Sequence, residues 1–142
     1  MQASPMAQVQ RTTVTLRFNG DDLDPQELSD RLGTTPTRAF TKGATLPSAG
    51  GSDRIAKTGQ WQLTLEGEAP DDFETLVTRL FHRLSADRDA WLDISKRFAG
   101  ELFVGLFLGS SNEGVPVSRE TLREIVARGL GLGLDVYGAT EA

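Results

Sequence analysis

The chain contains no cysteine, one histidine and one tyrosine. Without cysteine there is no disulfide scaffold, no thiolate zinc site and no thiol nucleophile, and the usage fits a reducing compartment. No stretch approaches the roughly 18 consecutive apolar residues of a membrane span. The opening MQASPMAQVQ lacks the basic and apolar regions of a secretory signal. Residues 1–10 therefore read as a disordered tail, 11–138 as a single domain and 139–142 as a second tail. A cytoplasmic protein with no membrane partner is expected. Cations are in deficit, 15 Lys and Arg against 20 Asp and Glu for a net charge of −5, which argues against nucleic-acid phosphates as partners. A chain of 142 residues buries roughly 68% of its unfolded surface and needs no metal to fold.

What is present is a set of clear periods. Glu101–Gly109, ELFVGLFLG, is apolar on both alternations, with Leu102, Val104, Leu106 and Leu108 on one side and Phe103 and Phe107 on the other. That pattern marks a strand inside a sheet, and residues 101–109 read as the central one. Residues 12–18 alternate as a half-buried strand carrying Val14, Leu16 and Phe18, and 60–66 as a second with Trp61, Leu63 and Leu65. Between them Asp24 as N-cap, Pro25 at the first helical position, Glu27 at capping-box spacing and Gly33 as stop define a short helix over 24–32. Phe73, Leu76, Val77, Leu80, Phe81 and Leu84 make one apolar stripe on a helix over 70–84. A helix over 88–98 carries Trp91, Ile94 and Phe98; Ser118 caps another with Leu122, Ile125 and Val126. The last strand turns Leu130, Leu132, Leu134 and Val136 one way and Tyr137 the other.

Two parts of the chain look alike. Strand 14–18, helix and strand match strand 104–108, helix and strand. Each half should cross over right-handed with parallel strands. Two β-α-β units around one four-stranded mixed sheet give an α+β two-layer sandwich, a ferredoxin-like variant with an inserted helical link and its first and third strands in the middle. The alternation then places Arg17, Gln62, Thr64, Phe103, Phe107 and Tyr137 on the sheet face away from the helices. That face is either an open patch for a partner or ligand, or it is covered by the helix carrying Trp91.

Most candidate chemistry fails on spacing. Asn19, Asp21, Asp22 and Asp24 resemble a calcium loop, but Asp24 takes the glycine position and Asp30 the glutamate one. An acidic turn ending in an N-cap accounts for them, so no metal is assigned. GLGLG at 129–133 leaves a helix and enters a strand, the reverse of a dinucleotide fingerprint. His82 falls on the solvent flank of its helix with no partner in the pattern. Nothing recommends a carboxylate pair such as Asp21 with Asp135. No catalytic residue and no cofactor is assigned.

The best candidate is the aperiodic stretch from Thr34 to Gly59. From Thr34 to Trp61, Arg38, Lys42, Arg54 and Lys57 stand against Asp53 alone, a net +3 that leaves −8 for the rest of the chain. Guanidinium and ammonium groups beside Trp61 suit a carboxylate or phosphate; a merely solvated loop is the alternative.

At FNGDDLDPQELSDRLGTTPTRAFTKG, at Gly59–Gln60–Trp61 and at the closing LDVYG, the chain resembles a bacterial family known as domain of unknown function 4279. The likeness spans about 12–138 and rests most on Pro36–Thr37–Arg38, Lys42–Gly43 and Gly59–Gln60–Trp61. It implies a small freestanding bacterial protein in which Arg38, Lys42, Gly43 and Trp61 act as one unit. It transfers no activity, cofactor or catalytic residue. Three readings follow: a non-enzymatic binding protein, for instance an immunity-type one; a binder of, or enzyme on, an anionic small molecule at the basic loop; and a homodimer through the outer sheet face.

Overall fold

The computed structural model describes residues 9–139. The first strand, β1, runs Val9–Gly20 and takes in Val9 and Gln10, which the sequence assigns to a tail; residues 1–8 and 140–142 of the expected tails lie outside the described residues. Helix α1, Pro25–Leu32, begins where the Asp24 carboxylate accepts a hydrogen bond from the Gln26 amide at 3.0 Å. It ends at Gly33, whose φ of 80° is the left-handed value glycine tolerates. Glu27 does not close a capping box; its carboxylate is held by Arg97.

The stretch expected to be irregular contains three short strands: β2 Arg38–Phe40, β3 Thr45–Leu46 and β4 Arg54–Ile55. Then come β5 Gly59–Glu68, α2 Phe73–His82, α3 Arg88–Phe98, β6 Glu101–Leu108, α4 Arg119–Ala127 and β7 Gly131–Tyr137. Helix α2 is shorter than the 70–84 stripe because Asp72, accepting from the Thr75 amide at 2.9 Å, sets its start.

Among the described residues the fold is mixed α+β: four helices, a five-stranded mixed sheet and a two-stranded β3–β4 hairpin. The sheet order is β2-β5-β1-β6-β7. Strands β1 and β6 are adjacent and interior, as expected, with β1 itself at the middle. Two expectations need correction. The sheet has five strands instead of four, because Arg38–Phe40 adds to the edge of β5. Strands β1 and β5 are antiparallel neighbours, with Leu16 opposite Leu63, so the first unit does not close on a parallel partner at residues 60–66. The strand that runs parallel to β1 after α1 is β2, with β5 between them. Only β6-α4-β7 forms a directly adjacent parallel pair. The two halves are therefore not copies of one unit.

All four helices serve one core. Val14, Leu16, Phe18, Trp61, Leu102 and Val104 are fully buried beneath Leu28, Leu80, Trp91 and Ile94. Trp91 sits edge-on to Phe81 at 5.8 Å and donates its indole N–H to the Ser85 carbonyl. Helix α3 thus joins the helical layer and leaves the other sheet face open. No helix of the described residues is long and apolar enough to cross a membrane.

Candidate functional site

Strand β2 is too short to show a period, yet its pairing decides where its side chains go. Arg38 lies opposite Gln62 and Phe40 opposite Gln60, so both stand on the helix-free face. The chain then turns at Gly43, φ 89°, into the hairpin, which is tied down by Gly43 N–H to the Ala56 carbonyl and Ala56 N–H to the Ala44 carbonyl. The return strand carries Arg54 and Lys57 back beside Arg38. Together these elements bound a hollow of about 610 Å³ lined by Arg38, Phe40, Arg54, Lys57, Thr58 and Gln60, among others, with no carboxylate in its wall. The Arg38 guanidinium lies 5.1 Å over the Phe40 ring. Among the described residues, none of Arg38, Arg54 and Lys57 makes an ion pair. Three exposed cations around one aromatic ring can hold a carboxylate or phosphate through charge-assisted bonds.

Two residues expected here lie elsewhere. Lys42 is bound to Asp21 at 3.0 Å. That bond, with a second from the Thr58 hydroxyl, holds the Asp21 carboxyl below its ordinary range; Lys42 fastens the segment to the β1–α1 turn. Trp61 is fully buried, tilted against Phe18 at 6.0 Å, and donates its indole N–H to the Ser29 hydroxyl at 3.1 Å. It packs the core beneath the hollow and presents nothing to a ligand. The supposed metal turn is likewise occupied: Asn19 accepts from Gln60, Asp21 from Lys42, and Asp24 caps α1. No metal-holding cluster occurs among the described residues. His82 is exposed, as expected.

The outer sheet face forms a second group. Arg17 lies 4.4 Å over Phe103 while Glu101 takes its Nε and Nη2 at 2.8 and 2.6 Å. Phe107 stacks on Tyr137 with centroids 4.4 Å apart and planes 6° from parallel, and Arg11 covers its other side at 4.0 Å. The Tyr137 hydroxyl donates to Asp135 at 2.6 Å, which raises the phenol's pKa. The two groups join through one cross-strand row: Arg38, Gln62, Arg17 and Glu101 are successive partners across β2, β5, β1 and β6.

Sequence reasoning missed Arg11 and Phe40. Arg11 precedes the strand read at 12–18 but shares the parity of Thr13, Thr15 and Arg17; Phe40 shares the parity of Arg38. Extending each alternation by two residues finds both.

Neither a curated protein nor a solved structure matches the chain. The family model described as "Domain of unknown function (DUF4279)" matches residues 10–139, nearly its whole length. The chain belongs to that family of domains of unknown function.

Proposed function

We propose that this is a non-enzymatic binding protein whose recognition site is the basic hollow of β2, β4 and β5. One observation carries the reading: Arg38, Arg54 and Lys57 converge on a single hollow without carboxylate partners among the described residues. Arg31, Arg79 and Arg97 are paired with acids. Other cations such as Arg83, Lys96 and Arg119 are also without an ion pair among the described residues, so it is the convergence of three on one hollow that sets this place apart. A body of net charge −5 that gathers three cations at one place, unpaired among the described residues, is arranged to receive an anion. The lining offers guanidinium, ammonium, hydroxyl and amide groups but no imidazole or carboxylate, which favours binding over catalysis. The anionic group belongs to a small molecule or to an acidic segment of a protein partner in a bacterial cytoplasm; an immunity-type protein that neutralises a toxin is one version of the latter. The architecture we read as an elaborated ferredoxin-like plan, supported by two split crossovers, β1-α1-β2 around β5 and β5-α2-α3-β6 around β1, with β7 added at the far edge.

The test is a thermal-shift screen against inorganic phosphate, nucleotides and di- and tricarboxylates, run beside a low-salt pull-down. Ligands that raise the melting temperature of wild type but not of Arg38→Ala or Arg54→Ala support the hollow. Equal shifts in all three proteins, or a partner retained equally by all three, would remove it.

A further inference from the structure

We infer that β7 is the seam of a two-fold homodimer, in which the β7 strands of two copies pair antiparallel and join their sheets. Strand β7 is one edge of the five-stranded sheet, so among the described residues one side of its seven-residue backbone has no partner strand. Natural sheets guard such edges with short strands, lysines, prolines or bulges. The opposite edge follows that rule, since β2 has three residues and carries Arg38. Strand β7 does not: GLGLDVY contains no proline or lysine, and Asp135 is its one charge.

The side chains beside this edge are apolar and uncovered. Leu132, Leu134 and Val136 pair with Leu102, Val104 and Leu106, which places them on the core face of the sheet. Their partners are buried, yet Leu134 is 58% and Val136 55% exposed. Helix α4 explains this. Its Thr121 and Glu124, with Arg128 at its C-cap, border the cleft against α2, and of its residues Ile125 alone is buried. At 100° per residue, Leu122 and Val126 fall on the opposite flank, toward β7; Val126 is 71% exposed. Five apolar side chains on one strip are of the order of the few hundred Å² at which an exposed patch marks an interaction surface.

A free strand edge lined by alternating apolar residues calls for another strand, and this one suits itself. An antiparallel pair centred on Leu134 sets Leu132 against Val136 and Gly133 against Asp135 of the other copy. The single charge then meets a glycine, so self-pairing incurs no like-charge repulsion between directly opposed residues. Both α4 helices bring Leu122 and Val126 over the seam. A strand pair with five apolar side chains from each copy approaches the roughly 800 Å² per partner of a stable interface. The surface is isologous, as a two-fold requires. It lies at the sheet edge away from the basic hollow, so it stands or falls independently of the proposed ligand site.

Sedimentation velocity and light scattering across a concentration series test the seam. Wild type should sediment as a dimer. Leu134→Lys and Val126→Lys should sediment as monomers with unchanged circular dichroism, since both positions are exposed; Phe107→Asp, on the other sheet face, should remain dimeric. Because the chain has no cysteine, Leu134→Cys supplies its one thiol. At the centre of an antiparallel pair the Cα atoms stand about 4.5–5.5 Å apart, within disulfide reach. Mild oxidation should therefore give a covalent dimer from Leu134→Cys and none from Tyr137→Cys. A monomeric wild type at high micromolar concentration overturns the inference. So does a dimer that survives Leu134→Lys, a Leu134→Cys protein that does not cross-link, or a dimer lost only in Phe107→Asp.

Discussion

The guanidinium of Arg97 on α3 grips both oxygens of Glu27 on α1, Nη1 at 2.8 Å from Oε2 and Nη2 at 3.0 Å from Oε1. Asp93 and Arg31 extend the fork into a four-residue network between the helices. The Arg97 hydrogen bonds hold the Glu27 carboxyl below its ordinary range, and Arg31 does the same to Asp93. A depressed carboxylate pKa contributes stability that is present above the unfolded-state value and is lost as pH falls through the folded one. Both side chains are about a third or more open to solvent, so the contribution is discounted toward that of a surface pair. Glu27→Gln should therefore lower unfolding stability by about 0.5–1 kcal/mol at pH 7 and by less at pH 3, read from urea titrations at the two pH values. An equal loss at both pH values would mean that the network acts through packing and not through charge.

Trp61 and Ser29 give a sharper case. A buried indole N–H whose acceptor is removed has no water to replace it. Ser29→Ala is expected to cost about 1–2 kcal/mol by that route, and Trp61→Ala about 3–5 kcal/mol through the cavity it leaves under the sheet. Trp61→Phe should keep the fold and leave anion binding at the hollow unchanged, because the buried ring is no part of the hollow's wall. Denaturation curves and ligand titration on the same samples separate the two outcomes; a binding defect in a fully folded Trp61→Phe protein would return the residue to the site.

Trp61 also shows where sequence reasoning succeeds and where it stops. Its alternation with Leu63 placed it inward, but its proximity in sequence to Arg54 and Lys57 suggested a binding role. Alternation decides the face; nearness along the chain decides nothing about exposure. The two-sided apolar pattern of β6 was legible in the same way, and so was the interior place of that strand. Its cause was not, because cover for Phe103 and Phe107 comes from Arg17, Arg11 and Tyr137 and not from a second helical layer. Strand β2 was invisible: three residues carry no period, and their pairing with β5 is a long-range property. The exposure of Leu134 and Val136 was equally hidden, since an apolar stripe is the same whether a helix, another chain or solvent covers it.

The basic segment should divide by function under mutation. Arg54 is exposed and makes no ion pair among the described residues, so Arg54→Ala should leave the melting temperature unchanged while lowering affinity for a bound anion several-fold. Lys42→Ala removes the tie to Asp21 and should act mainly on the segment. Amide hydrogen exchange at Gly43 and Ala56 should quicken as the hairpin loosens. Binding at the hollow should weaken as salt is raised, because its cations are open to solvent. Affinity that is indifferent to salt, or exchange unaltered by Lys42→Ala, would contradict this division.

Gly105 offers the most local test of the outer face. It lies opposite Thr13 on β1, between the rows of Phe103 and Phe107. A Cβ placed there would meet the Thr13 hydroxyl oxygen at 2.6 Å, closer than a Cβ approaches an atom it is not bonded to. Thr13 is anchored on the middle strand of the sheet, so the clash can be relieved only by turning its side chain or by spreading the two strands. Gly105→Ala is therefore expected to cost about 1–3 kcal/mol, the range for overpacking a filled site. Thr13→Ala removes the offending oxygen at small cost on a half-exposed face. The double variant should then recover most of the loss, giving a coupling energy well above the few tenths of a kcal/mol that independent sites show. Additive costs in the double-mutant cycle would mean that glycine is needed at 105 for the backbone itself, and that the aromatic rows are spaced by something other than Thr13.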